Sequence, residues 1–304
     1  MKIGLIGLGD IAKKAYLPVL SEKEGVEIVL CTRDQTTLHQ LAKKYRISTY
    51  VQKVEALIEE NIDAAVVSTA TTAHVDIAEK LLDQGIHTYI DKPISFHLDE
   101  TKRIIDKANA NDTIAMVGFN RRFAPMIKNL KEKRKPNLIL IQKNRFALPG
   151  VPRQFVVEDF IHVVDTLRFL MDTEVTDIKI DFLYKEGMLH HLILHLIGEE
   201  TTAIGMMNRN SGITEEVVEY TTDQHKYVID SLVTTTHYHN REKNLQTFGD
   251  WEPTLYKRGF YQIVDHFIDC VQHNKTPQPS INDSLITHDI CEQIVSKIEA
   301  SLSN

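Results

Sequence analysis

Apolar positions in the first part of the chain follow two different periods. Short runs, IGLIG (3–7), EIVLC (27–31), AAVVS (64–68), HTYID (87–91) and IAMVG (114–118), are apolar almost without interruption. Between them, apolar residues recur at three- and four-residue spacing, as at Val75, Ala78, Leu81 and Leu82. A strand that is apolar on both faces must be covered on both, and amphipathic helices between such strands supply the cover. The pattern predicts a parallel sheet flanked by helices, and right-handed crossovers make it doubly wound.

Beyond about Arg122 the pattern changes. A helix is predicted over 124–132, an extended run over 137–148 and a second helix over roughly 155–171. Alternating segments follow at 176–184, 188–197, 201–208, 215–222 and 226–239, and helices close the chain near 259–273 and 284–301. Strands grouped together predict a large open sheet, mostly antiparallel. The expected organisation is an α/β protein of two domains, over 1–121 and 122–304.

Composition narrows the class. A chain of 304 residues suits two medium domains, and 42% hydrophobic with 25% charged residues is ordinary globular usage. The charge sum, 35 − 42 = −7, disfavours a nucleic-acid-coating role, which needs a basic surface. Apolar stretches fall well short of the ~20 residues of a membrane span. Nothing like a secretory leader precedes the first strand, and the cysteines, Cys31, Cys270 and Cys291, lack zinc-ligand spacing. The expectation is a reduced, soluble, cytoplasmic protein with no metal site.

Chemistry first shows at the first strand–helix turn. Gly7-Leu8-Gly9-Asp10-Ile11-Ala12 directly follows the strand KIGLIG. This is the Gly-x-Gly-x-x-Ala form of the dinucleotide fingerprint. One glycine makes the tight turn, the next admits a pyrophosphate, and the small third residue packs helix on strand. The helix start offers free N–H groups and a positive dipole end to the anion. The second strand ends at Thr32, Arg33 and Asp34, where the ribose selector belongs. A hydroxyl and a guanidinium suit a 2′-phosphate, which favours NADP(H). The alternative is a solvated Arg33, with Asp34 accepting from the ribose of NAD.

The strand HTYID ends at Asp91-Lys92-Pro93. Proline holds the preceding residue extended, so Lys92 is expected at the carboxyl edge of the sheet, where ligands bind. A lysine there can protonate or hydrogen-bond a reacting oxygen. Glu158 and His162 stand four apart on the predicted helix 155–171, with Asp159 and Asp165 three residues to either side of the histidine. That spacing predicts a polar stripe opposite Phe160, Val164, Leu167 and Met171.

These segments, GLGDIA (7–12), STATTAHVDIAEKLLDQGIHTYIDKP (68–93), GFNRRF (118–123) and EDFIHVVDTLRFL (158–170), resemble the Gfo/Idh/MocA oxidoreductase family over essentially the whole chain. GFNRRFAP followed by EDFIHVVDT resembles its MviM-like branch. The resemblance implies an N-terminal Rossmann domain, a C-terminal α/β domain with a large open sheet, and hydride transfer between a nicotinamide cofactor and a sugar, polyol or related carbonyl compound. It also implies that Asp91-Lys92-Pro93 corresponds to the family's Glu-Lys-Pro motif. Lys92 would then contact cofactor and substrate, Ser68, Thr69 and Ala70 would form a cofactor-contacting turn, and His74 would match a family histidine. The family's paired acid and histidine would be Glu158 and His162, with Asp159 as the other acid available. Glutamate stands here in place of the family's aspartate, and Phe160 where glycine is common.

The expected site is therefore Lys92 and His162 at the reacting oxygen, supported by Glu158 or Asp159. The expected cofactor contacts are Gly7, Gly9, Asp10, Ile11, Thr32, Arg33, Ser68, Thr69, Ala70, His74, Asp91 and Lys92, with Asn120 and Arg121 just past the last strand. Partners are expected to be a small-molecule substrate and further copies of the chain, joined through the open sheet. The competing expectation is a nucleotide-dependent binding or regulatory protein without turnover; fold alone does not exclude it.

Overall fold

A computed structural model describes residues 1–303. Contacts divide the chain into two units, one of Met1–Phe119 with Phe260–Ile286 and one of Asn120–Gly259 with Thr287–Asn304. The sequence reading runs the second domain unbroken from 122 to 304, whereas the contacts group Phe260–Ile286 with the first unit.

The first unit is built on a parallel sheet of β1 (Lys2–Ile6), β2 (Glu27–Cys31), β3 (Thr49–Val51), β4 (Ala64–Val67), β5 (His87–Ile90) and β6 (Ala115–Val117). Their order is β3-β2-β1-β4-β5-β6, the doubly wound arrangement the apolar runs predict. Nearly every residue of β1, β2, β4, β5 and β6 is buried, as two covered faces require. β3 is an additional strand that the sequence pattern did not reveal; its three residues TYV sit half-exposed or exposed at the sheet edge. The helix Phe260–His273 packs onto this unit, with Phe260 edge-on to Tyr16 and Phe267 edge-on to Tyr89 at centroid distances of 5.7 and 5.5 Å.

The second unit carries β7 (Leu138–Asn144), β8 (Asp177–Lys185), β9 (Met188–Ile197), β10 (Thr202–Asn208), β11 (Glu215–Thr222), β12 (His225–Asp230), β13 (Thr234–His239) and β14 (Glu242–Thr247). They form one sheet in the order β14-β13-β12-β11-β7-β10-β9-β8, in which only β7 and β10 pair in parallel. The run 226–239 is not one strand. It folds back at Ser231 and Leu232, both with positive φ, to make β12 and β13. β14, exposed throughout, was not expected at all. The helix 155–171 is confirmed but compound, with a π-helical stretch Phe155–Phe160 leading into the α-helix Ile161–Met171. The helix expected over 124–132 is a short α-turn, Pro125–Lys128, continued by a 3₁₀ turn, Asn129–Glu132.

The helix Ile161–Met171 lies on β10 so closely that Gly205 has no room for a side chain. A Cβ there would stand 2.5 Å from Val163 and 2.8 Å from Leu167. Gly205→Ala is expected to overpack this contact and destabilise the protein by about 1–3 kcal/mol, read as a lower urea midpoint at unchanged slope. An unchanged midpoint would mean that the helix is free to shift.

Candidate active site

In the first unit, the turn after β1 touches the turn after β4. Gly7 has φ +85°, and a Cβ on it would sit 2.6 Å from the Thr69 side chain and 2.7 Å from its backbone nitrogen. The Ser68 hydroxyl closes the contact by donating to the Gly7 carbonyl at 2.9 Å. Gly9 is different, because a Cβ there would meet nothing within 4 Å. Ala12 is fully buried, as the small third position of the fingerprint demands. Gly7, Gly9, Asp10, Ile11, Thr32, Arg33, Ser68, Thr69 and Ala70 all line one cleft of about 940 Å³. A side-chain-free turn, an open approach at Gly9 and a helix start beyond it fit the pyrophosphate of a dinucleotide.

At the far end of this cleft, Arg33 is exposed and its carbonyl accepts from the Gln52 amide at 3.0 Å. Asp34 caps the helix Gln35–Tyr45, its Oδ1 accepting from the Thr37 N–H at 2.5 Å. That backbone bond holds the Asp34 carboxyl below its ordinary range. The acid that would serve an NAD ribose is thus engaged in capping a helix.

Asp91 and Lys92 follow β5, and the Lys92–Pro93 peptide is cis. Asp91 Oδ1 accepts from the Tyr16 hydroxyl at 2.7 Å, and the Tyr16 and Tyr89 hydroxyls lie 3.3 Å apart. Burial pushes both phenols up, so they remain donors. Gly118 makes room for them, since a Cβ there would stand 2.7 Å from the Tyr89 hydroxyl. His74 is buried, with Nδ1 2.8 Å from the Pro93 carbonyl and Nε2 3.1 Å from the Thr69 carbonyl. Asp91 and His74, both expected among the cofactor contacts, carry these framework bonds, and His74 ties the Thr69 turn to the segment beyond Lys92. Sequence reasoning passed over Tyr16 and Tyr89, since a core tyrosine and one that orients an acid look alike in a sequence.

In the second unit, Glu158 and Asp159 lie in the π-helical stretch and His162 in the α-helix after it. The four-residue spacing therefore crosses a change of helical period, so a single α-helical face does not describe the pair. Asp159 is held by cations from β7 and the residue beyond it. Lys143 donates to its carboxylate and, at 3.2 Å, to its carbonyl, while Arg145 donates to both carboxylate oxygens at 2.7 and 2.9 Å. Burial alone would raise the Asp159 carboxyl, but Lys143 and Arg145 hold it well below the usual range. Lys143 is fully enclosed, and burial, reinforced by the nearby Arg121, pulls its amine down to about 7.

Asp165 is buried and gripped by Arg122 through contacts of 2.6–3.1 Å, with Thr287 donating at 3.1 Å. The Asn120 amide donates to the Arg258 carbonyl at 2.8 Å. Arg121 forms a two-pronged bond to Glu216 at 2.5 and 2.8 Å. Asn120 and Arg121, expected beside the ligand, are thus committed to the frame of their own unit.

Residues 1–119 match the family model described as the oxidoreductase family with an NAD-binding Rossmann fold, and residues 125–240 match a YceM-like C-terminal domain. The crystal structure of a Gfo/Idh/MocA family oxidoreductase from Vibrio cholerae superposes with a TM-score of 0.95 at 32% identity, covering 100% of both chains. The chain belongs to the Gfo/Idh/MocA oxidoreductase family. A dehydrogenase named MviM from Clostridium difficile aligns at 29% identity with a TM-score of 0.93, covering 98% of this chain and 99% of that one. YceM of Salmonella typhimurium, whose name assigns it to the oxidoreductases without a substrate, is 29% identical over 97% of each chain. Other relatives carry fuller names. The scyllo-inositol 2-dehydrogenase (NAD(+)) of Bacillus subtilis is 22% identical over 95% of this chain and 92% of its own. The D-xylose 1-dehydrogenase (NADP(+)) 2 of Haloferax volcanii is 26% identical over 43% of this chain and 41% of its own. As a member of this family, the protein is an NAD(P)-dependent dehydrogenase or reductase. No helix among the described residues is long and apolar enough to cross a membrane.

The Arg121–Glu216 pair makes a pH signature. Burial would raise Glu216, but Arg121 and Lys143 outweigh it and lower the carboxyl to about 2. Its contribution to stability is therefore complete above the unfolded carboxylate value, ~4.3, and is lost as pH falls through about 2. Arg121→Met strands the carboxylate and is expected to destabilise by about 3–5 kcal/mol at pH 7. The deficit should shrink below pH ~4, where a protonated Glu216 needs no partner. Urea unfolding of both proteins from pH 3 to 8 reads this out, and a pH-independent deficit would contradict it.

Proposed function

We propose that this oxidoreductase interconverts a hydroxyl and a carbonyl on a small polar molecule of the sugar or polyol type, with NADP(H) preferred over NAD(H). The observation that carries the reading is the cleft at the carboxyl edge of the parallel sheet, floored by Gly7 and Gly9 and ending at Arg33. Relatives named as inositol and xylose dehydrogenases support the substrate class. A bound nicotinamide supplies the hydride acceptor or donor. In this reading Gly7, Gly9 and the helix start hold the pyrophosphate, and Thr32 with Arg33 receives the 2′-phosphate.

Lys92 and His162 are assigned to the substrate oxygen, where they hold and move its proton as hydride leaves or arrives at carbon. Glu158 is the acid that orients His162. Asp159, already bonded to Lys143 and Arg145, acts by fixing the turn that carries Glu158. Tyr16 and His74 orient the Asp91–Pro93 segment from which Lys92 projects.

NADPH is expected to bind about 1.5–3 kcal/mol more tightly than NADH, the difference a charge-assisted contact supplies, and Arg33→Ala should remove most of the gap. Calorimetric titration measures both, and equal affinities in the unmodified protein would refute the preference. Lys92→Ala and His162→Ala should each slow turnover roughly 10²–10⁴-fold and leave NADPH affinity much less affected, with the double variant less than additive. If His162→Ala lowers only thermal stability, with turnover per folded molecule intact, the residue is structural.

A further inference from the structure

Among the described residues, the Nε of Arg209, in the Asp159 cluster, is buried without a hydrogen-bond acceptor. It follows β10, and its own backbone carbonyl accepts from the Leu148 N–H at 2.6 Å, so the main chain is fixed. The side chain is 13% exposed, and the guanidinium stacks 5.1 Å above the Phe155 ring. Its Nε is buried without a hydrogen-bond partner, and its closest carboxylate oxygen, on Asp159, is 4.0 Å away. That carboxylate is already taken by Lys143 and Arg145, and Glu216 is taken by Arg121. Burial works against the Arg209 charge, the Asp159 carboxylate supports it, Arg145 repels it and Glu158 adds a smaller support. A desolvated guanidinium with unused donors is costly in a folded chain unless something else supplies the acceptor. Three basic side chains, Lys143, Arg145 and Arg209, thus share the single carboxylate of Asp159, beside the turn that carries Glu158.

We infer that Arg209, with Arg145 beside it, forms an oxyanion subsite, and that the substrate class is a polyhydroxy compound bearing a carboxylate or phosphate. Arg145 holds the same Asp159 through Nε and Nη2 and is 31% exposed, so part of its guanidinium stays open to solvent. The Arg209 guanidinium stacks on Phe155, and a stacked planar guanidinium suits two-pronged binding of a carboxylate or phosphate. The inference deepens the dehydrogenase reading by naming the charge of its substrate, and it rests on that reading only for the role of the bound molecule.

The NADPH-loaded protein is titrated calorimetrically with D-glucuronate, D-glucose 6-phosphate and neutral D-glucose. At least one anion should bind ~10- to 100-fold more tightly than glucose, the factor expected of a charge-assisted contact, and which anion wins separates carboxylate from phosphate. Arg209→Gln should collapse that ratio toward one, and Arg209→Lys should restore part of it. Should Arg209→Gln fail to fold, ionic strength replaces it, since added salt must weaken the anion and spare glucose. Equal binding of all three compounds, no binding of either anion, or an anion preference that survives Arg209→Gln would each overturn the subsite. Nicotinamide absorbance in the same mixtures tests the dehydrogenase reading separately. Anion binding without any turnover would leave the subsite standing and the assigned reaction failed.

Discussion

Charge removed from water must be answered by charge, and in the second unit that requirement sets the geometry. Lys143 and Arg145, from β7 and the residue after it, meet Asp159 on the helix above the sheet, while Arg121 meets Glu216 on β11. The Arg121–Glu216 pair joins residues 95 apart in the chain, the Asp159 pairs join a strand end to the helix that follows it, and breaking either leaves a buried ion without its partner. Asp159 sits in a π-helical turn whose backbone bonding is irregular, and Lys143 donates to its carbonyl as well as its carboxylate. The same bonds that satisfy the buried charge therefore hold the turn that carries Glu158 and leads to His162.

The first unit depends on the opposite device, the absence of side chains. Gly7 lets one turn touch Thr69, Gly9 leaves open space where a ligand must approach, and Gly118 leaves room for the Tyr16 and Tyr89 hydroxyls beside Asp91. Ser68 then fastens one of those approaches by donating to the Gly7 carbonyl, and His74 stands between the Pro93 and Thr69 carbonyls. A phosphate site of this kind is a backbone site, and its polar side chains serve mainly as braces. This explains why His74 and Asp91 carry framework bonds although they stand within the motif-bearing segment.

Dehydrogenase chemistry asks little of the protein beyond geometry and proton handling, because the hydride belongs to the nicotinamide. The resources visible in the two units match that division. In the proposed reading, the first unit contributes a cradle and a lysine at a strand end, and the second a histidine and a carboxylate on a braced helix. Arg209 adds a demand of its own, since a desolvated donor that the chain leaves unmatched shapes what the substrate must bring.

How much of this was written locally differs between the halves. The doubly wound order, the fingerprint turn and the Lys92 position follow from runs of apolar residues and a few glycines, because a strand buried on both faces and a turn without a Cβ are local demands. The edge strands β3 and β14 escaped because they are too short or too exposed to show an apolar period. The division of 226–239 escaped because its turn uses Ser231 and Leu232 at positive φ, a conformation neither residue type announces. The sequence alone determined which side chains could do the chemistry. Only the tertiary structure decided which of them were free to do it, because Asp159 and Arg121 met their partners, Lys143 with Arg145 and Glu216, through contacts that no spacing rule announces. Opposite charges brought together away from water bind each other first.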